Sequence, residues 1–162
     1  MAIRNIIKDG DPRLRKVARE VTDFGERTQM IVDDLIDTLY ENGNGIGLAA
    51  NQIGVLRRIF VIDLQDEDGL RVFINPEIYE RSGEQIGQEG CLSIPEYWGF
   101  VERPEMLKVR AQDRDGKTFE LEAEDLLAVC ICHENDHLDG VLFKDRVIPE
   151  EELPEEFRED EA

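Results

Sequence analysis

Between residues 27 and 43, RTQMIVDDLIDTLYENG sets Ile31, Leu35 and Leu39 in one helical row and Val32, Ile36 and Tyr40 in the next. A continuous apolar stripe at this period predicts an amphipathic helix, ended by the Asn and Gly residues that follow. A second helical pattern runs through EDLLAVCICHENDHLDG (124–140). There Leu126, Val129, Cys130, His133, Glu134 and His137 share a face, and Gly140 closes the end. The stretches between change period. RRIFVIDL (57–64) and LRVFINPEI (70–78) are β-rich runs flanking the turn signal QDEDG, and MLKVRAQ (106–112) and KTFELEA (117–123) alternate around DRDG, a hairpin pattern. DPRLRKVA (11–18) predicts a short helical turn with Pro12 near its start, and NGIGLAANQIG (44–54) a glycine-punctuated loop. With no repeat and no Gly/Ser linker, the pattern predicts one compact α+β domain over residues 1–148. Its antiparallel strands would pack around the helix that carries the histidines. The remainder, 149–162, is acidic, contains two prolines and reads as a flexible tail.

Composition narrows the partners. The chain has 162 residues, 41% apolar and 35% charged, enough for a hydrophobic core without disulfide support. The 38 acidic residues against 19 basic ones give a net charge of −19, a field that repels phosphate. Direct nucleic-acid binding and anionic membrane surfaces are therefore disfavoured, and no apolar run has the length of a membrane span. The opening MAIRNIIKDG has no signal-type apolar core, and Ala2 is not a myristoylation site. A cytoplasmic protein, monomeric by default, is expected. The three cysteines, Cys91, Cys130 and Cys132, are an odd number without a secretory signal, which argues for packing or chemistry rather than disulfides.

Chemistry concentrates in ICHENDHLDG. Residues four apart on a helix lie one above the other, so His133 and His137 can converge on a single ion with Glu134 beside it to handle water. They are the only histidines in the chain, and both fall on an otherwise apolar face, where unpartnered imidazoles would be costly. A metal needs a further ligand. The metzincin pattern H-E-x-x-H-x-x-G-x-x-H is followed as far as Gly140, but Phe143 stands where its last histidine belongs. A glutamate on a later helix would complete a thermolysin-like site, but Glu150 to Glu152 lie in a proline-bounded tail. Among the thiols, Cys130 lies roughly 10 Å along the axis from His137, and Cys132 points about 100° away from His133. Cys91, on the separate segment QEGCLSIPE, is left as the third ligand.

With Cys91 placed, GIGLAANQ (45–52), EGCLS (89–93) and HENDHLDG (133–140) together resemble, in order and spacing, the three signature motifs of the peptide deformylases. The resemblance extends from residue 1 to about 148. It implies that family's α+β fold and hydrolysis of the N-formyl group from the formylmethionine of nascent polypeptides, with release of formate. It implies one divalent metal per chain, Fe²⁺ by expectation, with Zn²⁺, Ni²⁺ or Co²⁺ able to occupy the site, held by Cys91, His133 and His137. Glu134 would be the acid/base residue. Gln52 and the Leu92 backbone N–H would bind the formyl oxygen. Gly47 and Gly90 would present backbone to an extended peptide, with Glu89 beside them, while Ile46, Ile86, Leu126, Val129, Cys130 and His133 would surround the methionine side chain. Formyl-methionyl nascent chains are the implied partner, with transient proximity to the ribosome.

The residues agree with that chemistry, since a formamide is less hindered and more electrophilic than a peptide bond and suits an ion whose charge a thiolate partly cancels. Two positions depart from the family's common pattern: Cys132 stands where glutamine is frequent, and Asn135 replaces an apolar residue, predicting that this side of the helix meets solvent. The acidic tail also stands where many members carry a basic helix. Tyr97 and Trp98, directly after the Cys91 loop, are expected at the rim of the cleft.

Overall fold

The computed structural model describes residues 3–43 and 45–158. Two helices, α1 (Glu26–Asn42) and α2 (Asp125–Leu138), enclose a sheet of β1 (Gly47–Ala49), β2 (Ile59–Asp63), β3 (Leu70–Ser82), β6 (Met106–Gln112) and β7 (Thr118–Glu124). The strands lie in the order β1-β2-β3-β6-β7, each antiparallel to its neighbour. A separate hairpin pairs β4 (Gln85–Cys91) with β5 (Ile94–Arg103).

The centre of the sheet explains the uninterrupted apolar run in β2. Side chains alternate across a strand, and here both faces are covered. Ile59 and Val61 join Val32, Leu35 and Leu39 of α1 in one core. Phe60 and Ile62 turn the other way, to Phe73, Leu107, Val109 and the Ala128 and Ile131 side chains of α2. Phe60 and Phe73 are register partners, and their rings stack with centroids 4.9 Å apart. The histidine helix is thus braced against the sheet by its apolar residues, which frees its opposite side for polar groups. The expected α+β architecture holds.

Several elements differ from their sequence expectations. Residues 47–53 are not loop: β1 pairs with β2 from Gly47↔Ile62 to Ala49↔Phe60, and Ala50–Ile53 form a 3-10 turn. Leu48, Ala49 and Ala50 are fully buried, but three residues are too few for a period to show. The β4–β5 hairpin had no signal, since QIGQEGC lacks apolar alternation; cross-strand pairing from Gln85↔Arg103 to Cys91↔Ile94 makes it a strand. Tyr40 leaves the α1 stripe for partial exposure, its hydroxyl donating to Asp63 Oδ2 at 2.6 Å. The acidic tail packs as far as Arg158. Leu153 is buried, and the Phe157 ring centroid lies 5.5 Å from that of Phe100. Composition pointed to an unanchored segment, but two apolar side chains hold it while the carboxylates face water. Residues 159–162 lie outside the described residues.

Candidate metal centre

Two elements that are distant in sequence meet at the open side of α2. His133 and His137 project from successive turns, their ring centroids 5.2 Å apart. The end of β4 brings Cys91 Sγ to 3.4 Å from His137 Nε2. One ligating atom from each of Cys91, His133 and His137 lies within 4.8 Å of the others. A tetrahedral ion with bonds of ordinary length would set sulfur and nitrogen about 3.6 Å apart, close to the 3.4 Å between Cys91 Sγ and His137 Nε2.

The surroundings favour a cation. Glu89 Oε1 lies 2.9 Å from His133 Nδ1, which puts a proton on Nδ1 and leaves Nε2 as the ring atom on which an ion would replace a proton. Burial alone would neutralise His133, but hydrogen bonds with Cys91 and Glu89, then the charge of Glu134, hold its pKa up to about 10. A positive charge is therefore welcome at this position. His137 goes the other way, pushed well below its usual value by burial and then by the His133 charge, and stays a neutral donor. Burial raises the Glu134 carboxyl to about 7. Its Oε2 lies 4.0 Å from His133 Nε2, and its Oε1 has no hydrogen-bond partner among the described residues.

Gln52, on the 3-10 turn after β1, is fixed at both ends of its amide. Its Oε1 accepts from the Ala49 N–H at 3.0 Å, and its Nε2 donates to Ser93 Oγ at 3.0 Å and lies 3.6 Å from Cys91 Sγ. The donor end thus faces the metal centre. A cavity of about 490 Å³ opens over these groups. Cys91, His133, Glu134 and Gln52 line its floor; Ile46, Gly47, Gly90, Leu92, Leu126, Val129 and Cys130 line its walls; and Tyr97 and Trp98 stand at its mouth. Trp98 is 64% exposed, as a rim position requires.

The polypeptide deformylase family model matches residues 3–152. The chain belongs to this family. It is 55% identical over 148 residues to the peptide deformylase of Caldanaerobacter subterraneus subsp. tengcongensis, covering 91% of each chain. It is 53% identical to peptide deformylase 1 of Clostridium perfringens, over 90% of this chain and 98% of that one. The crystal structure of the Thermotoga maritima peptide deformylase superposes with a TM-score of 0.88 at 41% identity, over 92% of this chain and 100% of that one. That of the Legionella pneumophila enzyme gives 0.87 at 47% identity, over 91% and 88%. The protein is thus a metal-dependent hydrolase that removes the N-formyl group from formyl-methionyl peptides.

Not every expected site residue reaches the cavity. Ile86 does not line it; it sits on β4 opposite Glu102, three to five residues before the Glu89–Cys91 end of the strand that borders the cavity. Glu89 borders the cavity, but its carboxylate is spent on Arg103 and His133 and is held down to about 2, burial being outweighed by three hydrogen bonds and the charges of those two partners. Its side chain is thus tied to Arg103 and His133, at the border of the cavity. Asn135 is half-buried rather than solvated; with Cys132 it borders a second hollow, of about 120 Å³, behind the helix. Sequence reading missed Arg103 and Ser93. Both are buried polar residues whose partners lie on other elements, Gln52 for Ser93 and Glu89 with Asp136 for Arg103, and no local spacing announces them.

Gly47 shows how tight the floor is. A Cβ there would stand 2.6 Å from Glu134 Oε2 and 3.0 Å from its Cδ. Gly47→Ala is expected to fold and bind metal normally while displacing the Glu134 carboxylate, lowering kcat by on the order of 10²-fold. Steady-state kinetics on a formylated peptide, with metal content measured in parallel, checks this.

Proposed function

We propose that Cys91, His133 and His137 hold one divalent ion, Fe²⁺ in the cell, and that Glu134, Gln52 and Leu92 carry out deformylation on it. The observation that carries this reading is the approach of Cys91 to His137 at 3.4 Å, directly beside a buried carboxylate with an unpartnered oxygen. The ion, when bound, supplies Lewis acidity and a water acidic enough to act as nucleophile near neutral pH. Glu134, raised by burial into the range of a working base, takes the proton from the attacking water and passes it to the departing amine nitrogen. The Gln52 Nε2 and the Leu92 N–H donate to the formyl oxygen as it gains charge; losing such a donor costs on the order of 10²–10³ in rate. The Gln52 amide does not have to be recruited, since Ala49 and Ser93 already hold it.

Ile46, Leu126, Val129 and Cys130 form the apolar wall for the methionine side chain, while Gly47 and Gly90 offer backbone to an extended peptide, as a strand added at an edge. Residues 1–148 form the catalytic domain, acting as a monomer in the cytoplasm on nascent chains close to the ribosome. No helix among the described residues is long and apolar enough to cross a membrane. The deciding experiment is anaerobic purification with metal analysis, followed by incubation with formyl-Met-Ala-Ser. Formate release with the peptide bonds left whole, by protein carrying about one iron per chain, is expected. Internal cleavage, or formate release without a metal, would overturn the reading.

A further inference from the structure

The ligands of the proposed centre come from two elements, β4 and α2, and nothing covalent keeps them in register. We propose that Arg103, outside the cavity at the end of β5, is a positioning residue that staples these elements together and fixes the orientation of the His133 ring. It is buried, 5% exposed, and all its contacts point to that task. Its Nε and Nη2 donate to the two oxygens of Glu89, each at 2.9 Å, a planar fork that fixes the plane of the carboxylate. Glu89 Oε1 in turn accepts from His133 Nδ1 at 2.9 Å. The third arm, Nη1, donates to Asp136 Oδ2 at 2.8 Å. Asp136 is itself held by Arg146, through Nε at 2.7 Å and Nη2 at 3.2 Å.

The connectivity separates positioning from simple fold support. Glu89 lies two residues before Cys91 on β4; Asp136 and His133 lie one turn apart on α2. One guanidinium therefore grips both elements beside their ligands, and it sets the tautomer that leaves His133 Nε2 free. A buried ion pair is a poor way to gain stability, because desolvation offsets most of the attraction. Orientation is what the fork provides. Lysine keeps the charge but cannot make two parallel bonds to Glu89 while reaching Asp136.

The proposal rests on the Cys91–His133–His137 reading, and the test separates the two. Full-length protein and its Arg103→Lys variant are loaded with Co²⁺, and metal release to excess chelator is followed together with the visible Co²⁺ absorption and thermal unfolding. Arg103→Lys is expected to release metal about 10-fold faster or more, the range seen when partners of metal ligands are lost, with an altered ligand-field spectrum. In a Glu89→Gln background the same substitution is expected to add nothing further, because its effect runs through Glu89. Wild-type release and spectrum in a folded Arg103→Lys variant, even one with a lower Tm, overturn the proposal. So do independent, multiplying effects of the two substitutions. If Arg103→Lys does not fold, Asp136→Asn loosens the same guanidinium from its other side. Faster release in that variant is expected, and an unchanged rate and spectrum overturn the proposal. His133→Ala is the control: if it binds Co²⁺ like wild type, the metal-site reading itself fails. If it loses Co²⁺ while the other variants behave as wild type, only the role of Arg103 fails.

Discussion

Glu134→Ala is expected to keep its full complement of metal and to lose turnover by about 10²–10⁴-fold, the usual range for a positioned acid–base group. The two effects separate because Glu134 is not among the three grouped donors, although it lies beside them. Its carboxylate is 4.0 Å from His133 Nε2, buried, and short of a hydrogen-bond partner for Oε1. An anion in that state gains most from a proton, which is why burial lifts its pKa to about 7. The sign of the pH dependence follows. A base works only when deprotonated, so kcat/KM falls on the acid side as Glu134 takes up a proton. A bound cation opposes that protonation and moves the acid limb below 7. The limb is expected to vanish from the residual activity of Glu134→Ala. Metal analysis and a pH–rate profile on the same preparations check both halves, and a variant with wild-type turnover would assign the proton transfer to another group.

Cys91→Ser is expected to reduce metal affinity by more than about 100-fold, beyond what outer-shell changes cost. Cys130→Ser and Cys132→Ser should leave the stoichiometry unchanged. Only a thiolate is a strong ligand, and two of the three thiols resist ionisation. Burial first, then the nearby Glu134 charge, drives the Cys130 thiol far above its usual range; burial pushes Cys132 to about 11. Both remain thiols, and neither belongs to the cluster of ligating atoms. Cys91 instead stands 3.4 Å from His137 Nε2 and 3.6 Å from the Gln52 amide, inside the cluster of ligating atoms. Metal per chain after gel filtration distinguishes the three variants. Equal loss in Cys132→Ser would mean that the wrong thiol has been assigned.

Trp98 and Gly90 illustrate how the mouth of the cavity is built. A Cβ on Gly90 would run into the Trp98 ring, so the indole lies directly over the strand that borders the cavity. That contact depends on the β4–β5 hairpin, whose strand character no periodicity announced. The rim position of Trp98 was nonetheless readable, because it follows the Cys91 segment by only a few residues.

What the sequence by itself determined is what repeats within a few residues. The α1 stripe, the β6–β7 hairpin around DRDG and the pairing of His133 with His137 all rest on local periods, and an i, i+4 spacing aligns two side chains in any helix. Phe143 in place of a third histidine leaves the helix two ligands short of a closed site and points upstream to Cys91. Tertiary structure decided what depends on residues far apart in the chain. It tied the Glu89 carboxylate to Arg103, fourteen positions away on the paired strand, which donates to both of its oxygens. It took Ile86 out of the cavity wall and packed the acidic tail through Leu153 and Phe157. A buried charge is stable only beside its partner, and that partner is chosen by strand register and helix packing, which no window of neighbouring residues contains.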